Sequence, residues 1–400
     1  MEANSRLMRV TILGGGMITH DQILPSFYQL QRLGLVEDIT VCARHDRTLS
    51  ALDSSQMLRE AFPGQTFRSR VGQYGDLLNE VPPRNLTVIA LPDHLHFDAV
   101  LTALEADQHV LVVKPLVMEV NHATLLEHEA LQRSLFVGVE YHKRFDDRSL
   151  LARRKYRAGE FGEFRLGAAC LMEKWYYRHS NFQNWCTTEN SDAFAYIGCH
   201  YVDLVHFITG LVPVSVSVYG VKDEYPNGKE GFLWTDARVI WSNGACLNVQ
   251  NSLSFPDEAP GTNTQGLTLY CAGRANGAMI RHSDQYRGIE HVYTAKPEAP
   301  GSTIYAEPSP DYFQYVDLGS KGLMPVGYGY RSIEYLFRCC LRVEKASDRQ
   351  QEIREIDREG IAATPANSRY NEQVIEAARQ SILNGGSTVS IGNRTGGSRK

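Results

Sequence analysis

The stretch TVIALPDHLHFDAVLTALEADQHVLVVKPL, Thr87 to Leu116, reads as strand, helix, strand. Its ends, TVIAL and HVLVV, are short apolar runs of the kind a sheet buries on both faces. Between them, Phe97 to Ala106 carries apolar residues at helical spacing. Two strands joined through a helix lie parallel in one sheet. Each run then ends on residues with chemistry: Leu91-Pro92-Asp93-His94-Leu95-His96 after the first, Lys114-Pro115 after the second. Open parallel sheets keep their ligands at that carboxyl edge.

The same alternation extends outward. RVTIL from Arg9 is a strand, ITHDQILPSFYQLQRL a helix that Pro25 starts or kinks, and DITVCAR a second strand. A helix is expected from about Thr48 to Phe62, another over Asn121 to Arg133, and a strand at LFVGVEY. This predicts a Rossmann-type dinucleotide-binding domain over residues 1–146, a parallel sheet with helices on both faces. The pattern then changes. After a helix near Arg148 to Ala158 come the long strand GEFRLGAACLME and a helix over Asp192 to Thr209. The β runs VPVSVSVYGV, FLWTDARVIWS, ACLNVQNSLSF and GLTLYCAG follow without helices between them, with a turn at SNG. An α/β domain with a largely antiparallel open sheet, one face covered, is expected over 147–391. It closes with helices at YRSIEYLFRCCLRVEKA and NEQVIEAARQSILNGG, the second capped by Asn371 and stopped by Gly385. Residues 392–400, polar, basic and Gly-rich, are expected to form a disordered tail.

A chain of 400 residues is long enough for two such cores. The net charge of −5 is mild and no basic run is long, which argues against nucleic acid. No apolar run nears the ~18 residues of a membrane span, and no signal peptide is expected before Arg9, where a charged n-region and apolar h-region are lacking. The eight cysteines are scattered and form no C-x-x-C pair, which fits reduced thiols in a cytoplasmic protein and argues against a metal site.

ILGGGMITHD, Ile12 to Asp21, follows a strand and opens a helix, the context of a dinucleotide fingerprint. Gly14 and Gly16 hold the first two glycine positions, Met17 and Ile18 begin the helix, and Thr19 stands where a third glycine would. The second strand ends at Ala43 and Arg44 rather than on an acid, which tilts the reading from NAD towards NADP, although Asp46 can still reach a ribose. Leu91 and Pro92 can pack on the nicotinamide side, with His94 and His96 close by. Lys114 has its stem in apolar surroundings, which can lower its pKa and suits it to polarising a hydroxyl.

Thr87 to Leu116 resembles a segment of the Gfo/Idh/MocA oxidoreductases, named for glucose–fructose oxidoreductase, inositol dehydrogenase and a rhizopine-catabolism protein. The resemblance continues in GVEYHKRFD (Gly138 to Asp146), YIGCHYVDLVHFITG (Tyr196 to Gly210) and GIAATPANSRYNEQVIEAARQSI, and so covers most of the chain in order. It implies a Rossmann domain followed by an α/β domain, and hydride transfer between NAD(P) and a secondary alcohol of a sugar or cyclitol. It also implies homo-oligomers formed through the open sheet.

Carried over, Lys114 with Pro115 matches the Glu-Lys-Pro motif, whose lysine contacts the reacting hydroxyl, and His200 matches the general acid/base. Tyr196 and Asp203 flank His200 at helical spacing and would make a polar stripe with it. Two departures stand out: the motif's glutamate is Val113 here, and the aspartate expected four residues before the histidine is Tyr196. Softer candidates are Tyr141, His142 and Arg144 after the last strand of the first domain, and the aromatic run EKWYYRHSNFQNW. Its Trp175 and Trp185, with Tyr176, Tyr177 and Phe182, can stack on sugar rings or simply cover the site. Arg281, His282 and DQYRG (284–288) are further polar candidates. Two alternatives share the fold: a redox glycosidase that recycles a tightly bound cofactor, and a non-catalytic nucleotide- or sugar-binding regulator.

Overall fold

The computed structural model describes residues 7–259, 263–273, 276–283, 311–319 and 322–392. The chain divides into two compact units, one of Met1–Val117, Asn121–Asp146 and Pro310–Ser368, the other of Met118–Val120, Asp147–Ser309 and Arg369–Lys400. The expected segment 284–288 and the tail from 393 onward lie outside the described residues.

In the first unit, β1 (Met8–Leu13), β2 (Val36–Ala43), β3 (Arg68–Val71), β4 (Leu86–Ile89), β5 (His109–Val113) and β6 (Val137–Glu140) form one sheet in the order β3-β2-β1-β4-β5-β6. Every neighbouring pair is parallel. The strand order reverses between β1 and β4, which opens a crevice for a ligand at their carboxyl ends. Pro25 stands second in the helix Leu24–Arg32, after a wider π-turn over Thr19–Ile23, so it starts the α-helix rather than kinking it. The single helix expected over 48–62 is two, Asp46–Asp53 and Gln56–Ala61, because Ser55 caps the second by accepting from Leu58 N at 3.4 Å. β3 and the helix Tyr74–Glu80 were not legible: β3 is an exposed edge strand, RSRV, with no apolar alternation.

Residues 310–368, expected in the second domain, are part of this first unit. Their helix Tyr328–Lys345 inserts Ile333, Leu336, Phe337, Cys340 and Val343 into the core built by Ile12, Phe27, Val41 and Val88. Phe27 meets Phe337 edge to face at 6.1 Å.

In the second unit, β7 (Phe164–Lys174), β8 (Pro213–Glu224), β9 (Glu230–Trp241), β10 (Cys246–Phe255), β11 (Asn263–Cys271), β12 (Ala278–His282) and the short strand Val389–Ser390 form a sheet. Its order is β12-β11-β7-β10-β9-β8 followed by the short strand. Only β7 and β10 run parallel among its neighbouring pairs, so the sheet is largely antiparallel, as expected. One face is covered: along β9, Leu233, Thr235, Ala237, Val239 and Trp241 are buried, while Asp236 and Arg238 are exposed.

The last helix runs Pro365–Leu383 and starts before the Asn371 cap expected for it. Thr364 and Asn367 cap it reciprocally, Thr364 N donating to Asn367 Oδ1 at 3.0 Å and Asn367 N to Thr364 Oγ1 at 3.4 Å. Asn371 is buried inside the helix, and Gly385 takes φ 66° beyond its end.

Candidate active site

One group of candidates lies at the carboxyl edge of the parallel sheet. Gly14 ends β1 with φ 105°, and a Cβ there would stand 2.1 Å from Ala90 O. Only glycine fits between β1 and the end of β4. A Cβ on Gly15 would press on Thr48 Cγ2 at 2.9 Å, which brings the Asp46–Asp53 helix close. A Cβ on Gly16 would meet nothing within 4 Å: the turn faces open space in front of a helix start, as a pyrophosphate requires. Thr19 replaces the third glycine without loss of packing. It is buried, and its Oγ1 donates to Gly14 O at 2.7 Å, tying helix to strand. Met17 and Ile18 open that helix, and beside it Arg44 is exposed past Ala43 at the end of β2.

Leu91 and Pro92 are half-buried beyond β4, and Ala90 N donates to Leu13 O at 2.8 Å. His94 is exposed, and its pKa is lowered chiefly by desolvation. His96 differs from expectation. It has no exposed surface, and its ring nitrogens lie 2.7 Å from Pro115 O and 2.8 Å from Leu91 O. It therefore holds two loops of the site together instead of facing a ligand. Lys114 follows β5, is 8% exposed, and precedes Pro115 through a cis peptide bond. Val113 packs against the hydrophobic core, where the missing glutamate of the motif would have stood.

After β6, Tyr141 and Arg144 are buried, and Arg144 Nη1 donates to Ile361 O at 3.4 Å. His142 lies between them in sequence, with Nδ1 2.9 Å from Glu140 Oε2. Glu140 was not singled out from the sequence, where it is one letter in an apolar run.

The second unit carries the other candidates. Tyr196 lies in a π-turn, Phe194–Gly198, that leads into the helix Cys199–Thr209, and His200 is in the first turn of that helix, buried. Such π-turns recur at functional sites. Asp192 anchors the turn by accepting from Ala195 N at 2.8 Å. Asp203, also on this helix, accepts at Oδ1 from Tyr370 OH at 2.8 Å and from Asn371 Nδ2 at 3.0 Å. The Tyr196 ring stands edge-on to Phe182 at 4.7 Å and Trp185 at 5.6 Å. Phe182 and Trp185 are buried, but Trp175 is 40% and Tyr176 46% exposed.

Two supports of this aromatic loop escaped the sequence reading. Arg178 lies between Trp175, 4.1 Å away, and Trp234, at 5.4 Å, and pairs with Asp223. Lys174 Nζ donates to Pro256 O at 2.9 Å and Asp257 O at 3.0 Å. Nothing in a linear pattern distinguishes these cations from solvated ones. Arg281 and His282 close β12, with His282 buried.

Comparison with known proteins agrees with this geometry. Residues 8–141 match the Gfo/Idh/MocA family model, described as an oxidoreductase family with an NAD-binding Rossmann fold. An uncharacterized oxidoreductase of Schizosaccharomyces pombe is 29% identical over 159 residues, 39% of this chain and 39% of the relative. D-glucoside 3-dehydrogenase of Escherichia coli is 23% identical over 215 residues, 52% of this chain and 55% of the relative. The matches thus span 39% to 55% of these relatives' own length. The crystal structure of scyllo-inositol dehydrogenase from Lactobacillus casei, with bound NAD(H) and scyllo-inositol, shares the fold with TM-score 0.62 at 14% identity, over 96% of this chain and 99% of that one. Residues 8–141, which hold the glycine loop and the six parallel strands, thus match the Gfo/Idh/MocA oxidoreductase family model, and the chain is similar to that family there.

Proposed function

We propose that the protein is an NAD(P)-dependent dehydrogenase or reductase acting on a secondary hydroxyl or ketone of a sugar, sugar derivative or cyclitol. The observation that carries the reading is Lys114: a mostly buried ammonium group at the carboxyl end of β5, inside a matched NAD-binding domain whose glycine loop faces open space. Gly14, Gly16, Met17 and Ile18 take the pyrophosphate, Ala43 and Arg44 the adenosine ribose, and Leu91, Pro92, His94 and Pro115 border the nicotinamide. A bound nicotinamide supplies the hydride acceptor. Lys114 Nζ donates to the reacting oxygen, and His200 takes the hydroxyl proton, directly or through Tyr196. Trp175 offers an exposed ring face to a sugar, and the D-glucoside 3-dehydrogenase relative supports that substrate class.

Arg44 favours NADP, because an exposed guanidinium at the end of β2 can pair with a 2′-phosphate. Exposed Met279, Tyr270 and Leu166 lie side by side in register across β12, β11 and β7, which favours a homo-oligomer through this sheet face. Eight free thiols favour a cytoplasmic location.

Titration of the purified protein with NAD⁺ and NADP⁺, followed by a screen of glucosides and inositols, tests the reading. Lys114→Met should abolish turnover while nucleotide affinity stays within about twofold, as expected for a group acting on the substrate. Unchanged turnover in this variant, or a wild-type protein that binds neither nucleotide, refutes the proposal.

A further inference from the structure

Ser55, His20 and Asp21 come together on the surface of the first unit, apart from the residues assigned above to nucleotide or substrate. His20 and Asp21 belong to the π-turn Thr19–Ile23, and Ser55 lies in the bend between the helices Asp46–Asp53 and Gln56–Ala61. His20 Nε2 is 2.9 Å from Ser55 Oγ, and His20 Nδ1 is 2.6 Å from Asp21 Oδ1. Nucleophile, base and orienting carboxylate thus form a chain at hydrogen-bond distances, the arrangement that activates a serine hydroxyl. No linear motif shows it, because 35 positions separate the serine from the histidine.

The surroundings fix the direction of each bond. Leu58 N donates to Ser55 Oγ at 3.4 Å, which leaves the hydroxyl's own proton for His20 Nε2. An ionised Asp21 only accepts, so the ring proton sits on Nδ1, and in the neutral imidazole Nε2 carries the lone pair that faces Ser55. Capping the helix requires neither His20 nor Asp21, since Ser55 alone satisfies Leu58 N.

Both ends of the chain are pinned to the core. Thr19 and Gln22, on either side of the His20–Asp21 pair, are buried, and Leu52 and Leu58 are buried on either side of Ser55. Ser55 N donates to Leu52 O at 3.2 Å, and Ser55 O accepts from Arg59 N at 3.1 Å. The chain itself faces solvent. The His20 and Asp21 side chains are 32% and 50% exposed, Ser55 is half-buried, and Ser54, Gln56 and Met57 beside it are exposed.

We propose that Ser55, with His20 as its base and Asp21 orienting the ring, is a second nucleophilic centre that takes an acyl group from an activated ester. Ser55 Oγ adds to the ester carbonyl carbon while His20 Nε2 takes the hydroxyl proton. The bond from that carbon to the leaving group breaks, and the leaving alcohol or phenol departs with the proton. Water, deprotonated by the same nitrogen, then cleaves the acyl-Ser55 ester to a carboxylic acid and restores the serine. At an open surface water solvates the oxyanion, so turnover is slow beside that of an enclosed hydrolase site.

The full-length protein without nucleotide, treated with para-nitrophenyl acetate, tests this. An acetyl group should appear on Ser55 by peptide mass mapping, with nitrophenolate released at a matching rate. Ser55→Ala should abolish both. Ser55→Asn keeps a capping side chain and serves as the second variant should Ser55→Ala not fold. His20→Phe keeps a ring and should slow acetylation at least about tenfold. Long-range ¹H–¹⁵N spectra in mildly alkaline buffer read the role of Asp21, with His20 assigned through its loss in His20→Phe. Nδ1–H is expected in the wild type, with a shift towards Nε2–H in Asp21→Ala. Acetyl groups only on other residues, an unchanged rate in His20→Phe, or Nε2–H in the wild type overturns the proposal. None of these readings depends on nucleotide binding, so they stand apart from the dehydrogenase reading.

Discussion

Glu344→Gln should loosen the first unit by about 3 kcal/mol at neutral pH and by about half as much near pH 3. Glu344 lies near the end of the helix Tyr328–Lys345 with its side chain 18% exposed. Its Oε1 accepts from Arg84 Nε at 2.7 Å and from His109 Nε2 at 3.0 Å, while Arg349 Nη2 lies 3.5 Å from Oε2. Burial alone would raise the carboxyl pKa, but the hydrogen bonds from His109 and Arg84 outweigh it and bring it from 4.5 to about 2. A difference of this size between folded and unfolded chain is worth about 3 kcal/mol. Because the folded value is the lower one, the stabilisation is complete above 4.5 and disappears as pH falls through about 2.

His109 acts in the same direction. Burial lowers its pKa, its Nδ1 accepts from Phe136 N at 2.9 Å, and unfolding lets it take a proton below about 6.5. The amide oxygen introduced by Glu344→Gln could still accept from His109, so that contribution largely cancels between variant and wild type. Native-state hydrogen exchange of the Phe136 and Val110 amides reports opening at this place, since Val110 N donates to Phe136 O across the same strands at 2.9 Å. Protection should fall about a hundredfold at pH 7 and about tenfold at pH 3. A loss under about fivefold at pH 7, or one that does not shrink in acid, would refute the ion-pair account.

Gly14→Ala should lose more than about 2 kcal/mol of stability, because its φ of 105° and the contact with Ala90 O both forbid a Cβ. Gly16→Ala should melt within a few degrees of wild type yet bind nucleotide at least about tenfold more weakly, since its Cβ would meet only the open space we assign to a pyrophosphate; equal affinity by calorimetric titration would remove the loop from the site. Arg44→Ala should weaken NADP⁺ about tenfold or more with little change for NAD⁺, and an equal effect on both nucleotides would discard the 2′-phosphate assignment.

The fold was legible wherever a local pattern repeats the global one. β1, β4 and β5 are apolar runs because the sheet buries them on both faces, and the strands of the second unit alternate because one face is open. β3 escaped notice because an exposed edge strand needs no apolar residue. The place of residues 310–368 was hidden for a different reason: amphipathicity announces that the helix Tyr328–Lys345 will be buried, but not on which sheet.

The departures from the motif show the same limit at the scale of single side chains. The packing of a third glycine is achieved by Thr19 through one hydrogen bond to Gly14 O, which its hydroxyl could have suggested. Glu140 stands beside Val113, far along the sequence but adjacent in register, and only the pairing of β5 with β6 brings the two together. Asp203 stands at helical spacing from His200, and its Oδ1 also accepts from Tyr370 and Asn371, partners on the last helix that spacing along its own helix does not announce. A linear motif records which residue types a site needs at fixed offsets along one strand or helix. What a neighbouring strand places beside those residues is outside its record, and only the sheet's register shows it.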